Sequence, residues 1–194
     1  MPPEMLNALP GYDPDVQKNR TDARQIMQTL GYSPGNHRNI KVTVRDLPYF
    51  RDPAVILIDQ LKEVYIDGEL EPIDTNFFPK MMRKDYSVAL NLEGAGDPDQ
   101  TLPLVYGCGS EFNRNNYCNP EVEKLIDRQS SETDQQKRKQ LVWQIERKPA
   151  EDDARPIIFY SRDGTCRHPR VKGLTLMVNS IFKGWRMEDV WLDK

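Results

Sequence analysis

Apolar and polar positions recur along most of this chain with a regular period, and the period switches several times. Ile40, Val42 and Val44 are apolar at every second position, which predicts a strand with one buried face. Val88, Leu90 and Leu92 repeat that pattern, and Leu70 with Ile73 marks a further strand between the two. Elsewhere spacings of three and four dominate. Val16, Ala23, Ile26, Met27 and Leu30 form a stripe along a helix expected over 14–30, opened by Asp13-Pro14 and closed by Gly31. A second helix is expected over 53–66, started by Asp52-Pro53, with Leu57, Ile58, Leu61, Val64 and Tyr65 inward. Its opening row, Val55 to Ile58, is apolar all round and should sit deep against a sheet. Phe77 to Arg83 reads as a short helix.

After Leu92 the chain turns through Glu93-Gly-Ala-Gly-Asp-Pro-Asp99. Two glycines permit a sharp bend, Asp97 can cap free N–H groups, and Pro98 suits a first helical turn. Asn119-Pro120 opens another helix, with Val122, Leu125 and Ile126 on one face. Asp134 caps a longer one, with Leu141, Val142 and Ile145 inward, and Pro149 should kink or stop it. Strands are expected at Pro156–Tyr160 and Val171–Val178, followed by an aromatic-rich tail of Phe182, Trp185, Val190 and Trp191. Alternating strands and helices predict an α/β fold built from βαβ units, with a mixed, mostly parallel sheet flanked by helices.

Composition narrows the possibilities. Hydrophobic residues make up 38% of 194, enough for one core beneath a very polar surface. The net charge is −3 with acids and bases interspersed, which leaves no basic footprint for nucleic acid. No apolar run approaches the roughly 20 residues of a membrane span, and Met-Pro-Pro-Glu-Met does not read as a signal peptide. The two histidines, His37 and His168, neighbour turns and form no general-base constellation. Cys108 and Cys118 lie ten apart in a loop rich in Gly and Asn. Spacing alone leaves two readings open, a small disulfide loop or two unrelated thiols. Cys166 is left over beside Arg167 and His168, and adjacent residues make a poor nucleophile–base pair.

The bend after Leu92 is the candidate site, because ligands of parallel α/β sheets bind beyond the carboxyl ends of the strands. Asn91, Glu93, Gly94, Ala95, Gly96 and Asp97 would offer backbone N–H groups, a carboxylate and a neutral hydrogen-bonder. Read as a phosphate cradle, Gly94-x-Gly96 is a weak signal surrounded by repelling carboxylates. Asp97-Pro-Asp99 lacks the regular oxygen ligands of a calcium loop, so no metal is expected there, nor any cofactor. The bland alternative is that Asp97 and Asp99 only cap a helix. Arg45 ends another strand and could face the same cleft, where its fork suits a carboxylate or sugar oxygen.

Several collinear stretches resemble the second lobe of substrate-binding proteins of ABC importers for dipeptides and oligopeptides. Tyr12-Asp-Pro with Ala23 and Leu30-Gly-Tyr32 is similar to that family's first lobe helix. Asp85-Tyr86 through Asp97-Pro98-Asp99 resembles its strand and cleft loop, and Tyr117-Cys-Asn-Pro-Glu-Val-Glu-Lys-Leu125 resembles its next helix start. Thr133-Asp134 with Arg138 and Leu141, Pro156-Ile-Ile158, and Val171-Lys-Gly173 follow in the family's order. The resemblance implies a periplasmic-binding-protein type II lobe over 1–170 and a return segment, 171–194, that would pack on a first lobe missing from this sequence. It implies a non-enzymatic, extracytoplasmic receptor whose signal peptide is absent from this fragment. Its partners would be a small solute (peptide, sugar, opine or metal complex) and an ABC permease in the membrane. An exported protein meets oxidising conditions, so the resemblance favours a Cys108–Cys118 disulfide. The aspartate that pairs with a peptide's α-ammonium in this family falls on Gly94 here, with Glu93 adjacent. The competing reading is a cytosolic α/β enzyme with its site at the Gly94–Gly96 loop.

Overall fold

The computed structural model describes residues 2–92, 97–159, 164–176 and 187–193. At its centre lies a three-stranded parallel sheet in the order β2-β1-β3. The strands are β1 (Arg38–Arg45), β2 (Ile66–Ile73) and β3 (Val88–Ala89). Ile40 pairs with Gly68, Val42 with Leu70 and with Val88, and Thr43 with Glu71 and with Ala89. Ladder bonding continues past β3, where the Leu90 N–H donates to the Thr43 carbonyl at 3.0 Å.

Side-chain alternation splits the sheet into two unlike faces. On one, Val42, Val44 and Leu90 are buried against Ala54, Leu57 and Ile58 of α3 (Pro48–Leu61). Each fully buried valine is worth roughly 1.5–3 kcal/mol relative to exposure. Gly68 permits this close approach, since a Cβ there would lie 2.7 Å from Ile58 Cγ1. The other face is polar. Fully buried Thr43 donates to Glu71 Oε2 at 2.6 Å, and Lys80 of α4 (Phe77–Arg83) reaches both Glu71 oxygens at 2.8 and 2.9 Å.

A second core forms from α5 (Pro98–Tyr106), α6 (Pro120–Ser131) and α7 (Gln135–Glu151). Leu102, Val122, Ile126 and Ile145 are its buried members, with Tyr106, Tyr117, Leu125 and Val142 packed around them. Asn119 caps α6 through the Glu121 N–H, and Asp134 caps α7 through the N–H groups of Gln136 and Lys137, all at 2.9 Å. Pro149 is buried within α7, which ends two residues later. Helix α1 (Pro3–Asn7) precedes these layers, and an antiparallel ribbon of β4 (Val171–Lys172) and β5 (Trp191–Leu192) follows them.

Several expectations need correction. α3 starts at Pro48 rather than Asp52-Pro53, because Pro48 takes the first helical position and Pro53 is absorbed inside the helix. It ends at Leu61 in a 3₁₀ turn over Lys62–Val64, which Tyr65 closes in the left-handed conformation at φ +63°. Only one side of α3 meets the sheet, so Val55 and Ile56 are exposed rather than deep. α2 (Val16–Thr29) is capped by Asp15 and not Asp13, and its Val16, Ile26 and Leu30 face solvent. Its C-terminus closes as expected: Gly31 sits at φ +90°, donating to Gln28, while Tyr32 donates to Met27. Pro156–Phe159 is not a strand. Tyr12 Oη accepts from the Ile157 N–H at 2.7 Å, and Ile157, Ile158 and Phe159 are exposed. Of the strand expected at Val171–Val178, the described residues 171–176 are regular over Val171–Lys172 alone. Tyr160, Val178, Phe182 and Trp185 lie outside the described residues.

Candidate functional site

The carboxyl edge of the sheet brings together Arg45, the turn after β1, the first turn of α4 and the segment after β3. Arg45 ends β1, and the Asp46 N–H donates to the carbonyl of Ile73 at the end of β2. That bond brings both strand ends out at one level. The Arg45 side chain makes no hydrogen bond or ion pair among the described residues. Its guanidinium instead lies 5.3 Å from the Phe78 ring centre and 6.0 Å from that of Phe50. Rings hold a cation in place without neutralising it, which suits Arg45 to meet an oxygen-rich or anionic group. Arg114 lies 5.7 Å from the same Phe78 ring, and Phe78 is 46% exposed. Tyr49 is exposed beside Phe50, and Arg51 is paired with Asp46 at 2.9 Å.

Asn91 lies two residues past β3, half-buried and with a partner. Glu93, Gly94, Ala95 and Gly96 lie outside the described residues. Asp97 resumes the chain as the cap of α5, accepting from the Asp99 N–H at 2.9 Å. Its two oxygens also receive the Arg138 fork, at 3.0 and 2.5 Å. The guanidinium, with help from the Asp99 N–H, holds the Asp97 carboxyl down at about 2. Around this pair the hydrogen bonds close into a ring. Arg138 Nε donates to Gln129 Oε1 at 3.2 Å, and fully buried Gln129 donates to Asp99 Oδ1 at 2.8 Å, which Ser130 also contacts.

The expected site residues therefore fall in two groups. Arg45 and Asn91 stand at the carboxyl edge, whereas the Asp97 charge is engaged by Arg138 and by its own helix. Sequence reasoning missed Phe50, Phe78 and Arg114 at this edge. The aromatic loop after β1 was a signal for Phe50; nothing local pointed to Arg114. Among the described residues no group of three or more His, Cys, Asp or Glu side chains could hold a metal ion, and no helix is long and apolar enough to cross a membrane.

Cys108 and Cys118 are joined by a disulfide, with their Cα atoms 4.5 Å apart, and Cys166 is a free, exposed thiol.

No family model matches the sequence, and no curated protein matches it either. Solved structures do. The oligopeptide-binding protein AppA from Bacillus subtilis, in complex with a nonapeptide, superposes at a TM-score of 0.68 with 17% identity, covering 96% of this chain and 39% of its own. The chain has the fold of a type II periplasmic binding protein. Two further structures of this binding-protein fold agree. Oligopeptide-binding OppA from Haemophilus influenzae gives a TM-score of 0.63 at 17% identity, over 76% of this chain and 32% of its own. The ABC transporter substrate-binding protein CtaP from Listeria monocytogenes gives 0.61 at 23%, over 74% and 29%. The chain thus spans about a third of the length of these binding proteins.

Proposed function

We propose that this chain is a solute-binding lobe of an extracytoplasmic receptor that hands a small polar solute to an ABC permease. The observation that carries the reading is the superposition on AppA across 96% of the chain. Arg45, held by two rings at the carboxyl edge with no ion partner among the described residues, supports it, because parallel α/β sheets bind ligands at that edge. Residues 1–170 would form the lobe, and 171–194 would return toward a first lobe. The solute meets Arg45, Asn91 and residues 93–96, while the Asp97 charge is taken up by Arg138. Work of this kind is closure over a ligand, with no bond made or broken. AppA and OppA were solved with peptides bound, so peptide is the first solute class to test, with sugars, opines and metal complexes after it. With Gly94 in the place of the amine-binding aspartate, a peptide amine would have to meet Glu93.

A titration of the ¹⁵N-labelled chain with a nonapeptide, a disaccharide and nickel–histidine tests this reading. Saturable shifts at the Arg45 side chain and the Asn91 amide with one of them are expected. No shift with any of the three, or chemical turnover of one, overturns it. Thiol counting under denaturing, non-reducing conditions tests the compartment. One thiol per chain, Cys166, is expected, and three would return the cytosolic enzyme as the better reading.

A further inference from the structure

The loop between α5 and α6, residues 107–119, touches three separate parts of the fold. The Cys108 N–H donates to Glu123 Oε1 at 3.0 Å, which ties the loop's start to α6. Asn113 is 2% exposed and spans the loop from inside, donating to the carbonyls of Gly107 at 3.0 Å and Tyr117 at 2.5 Å. On one side the loop reaches the sheet half. Tyr86 Oη donates to the Arg114 carbonyl at 2.7 Å, Lys84 contacts Asn116, and the Arg114 guanidinium lies over Phe78. On the other side it reaches the end of α7. Tyr117 Oη donates to Asp152 Oδ2 at 2.7 Å, and Asn115 Nδ2 donates to the Ala154 carbonyl at 2.6 Å. The two buried clusters share no residue.

We propose that the Cys108–Cys118 disulfide is a redox-sensitive bolt: it fixes the loop in the shape that couples the sheet half to the helical half. The coupling stands on its own; that it thereby sets the carboxyl edge for a solute rests on the receptor reading. Cys118 is exposed, so a solvent dithiol has access to the bridge. In the exchange the Cys108–Cys118 S–S bond breaks, both cysteines become thiols by taking up a proton each, and the dithiol is oxidised to its own disulfide. Cross-linking removes conformations from the opened loop. Without it, the partners of Tyr86 and Lys84, and the side chains of Tyr117 and Asn115 that reach Asp152 and Ala154, sit on a segment free to rearrange.

The test is amide hydrogen exchange on Cys166→Ser, oxidised and after treatment with dithiothreitol, without added solute. Expected on reduction is exchange faster by at least ~10-fold in 107–118, in α4 and over 148–154, with 42–44 and 122–126 unchanged, as for a sub-global opening. Faster exchange confined to 108–118 overturns the proposal, and so does a uniform increase, which would make the bridge a general stabiliser. Two variants with the bridge intact separate its arms. Tyr86→Phe should loosen only α4, and Tyr117→Phe only 148–154; no effect from either sinks the coupling. None of these outcomes depends on whether a solute binds, so failure here and failure of the receptor reading are told apart.

Discussion

Asp97 accepts the Asp99 N–H with one oxygen and meets the Arg138 fork with both, so its charge is committed to the protein. Its folded pKa of about 2 lies below the ordinary 3.8. The sign follows. The stabilisation is complete above the unfolded value and is lost as the pH falls through about 2. Because Asp97 is 47% exposed, solvent screening holds the pair to about 0.5–1 kcal/mol. Asp97→Asn keeps a good cap and removes the charge, so urea midpoints should fall below those of the parent at pH 6, with the gap closing between pH 4 and pH 2. A gap that persists at pH 2 would mean that the charge is not what matters. At this scale the sequence was half legible. A cap at Asp97-Pro98 follows from neighbouring residues, but Arg138 is 41 positions away and only the packing of α7 on α6, and of α6 on α5, brings it there.

Elements succeed or fail by their ends and by what faces them. Asp134 satisfies two N–H groups at the start of α7. Asp134→Ala should cost about 1 kcal/mol in urea denaturation and lower the Tm with it. Gly173 holds the β4–β5 ribbon at φ +73°, where a Cβ would lie 1.9 Å from the Asp189 carbonyl oxygen. Gly173→Ala should abolish the NOEs between 171–172 and 191–192; their survival would mean that the ribbon tolerates a side chain there. Periodicity found α6, α7 and β1 because each buries one continuous face. It misplaced α3 because two prolines, Pro48 and Pro53, could each open a helix, and the first prevailed. It overstated the packing of α2, whose stripe is built of the right residues but lacks a surface to cover all of it: Arg20 pairs with Glu63 at 2.8 Å while Ile26 and Leu30 remain outside. The 156–159 segment has strand composition without a strand beside it among the described residues.

In the molecule as a whole, the α/β order and the parallel sheet were legible from alternation alone, and the disulfide only through the family resemblance. What the sequence hid was the division into two cores, since periodicity tells which face of a helix is buried and not which neighbour buries it. The sheet core draws on residues 40–90 and the helical core on 102–145, so each comes from one uninterrupted run of chain. During synthesis, then, the first could collapse behind the ribosome before the second has emerged, as contiguous units do. Both cysteines of the Cys108–Cys118 bridge precede residues 122–145 of the helical core, so the short loop it closes is made before the last of that core.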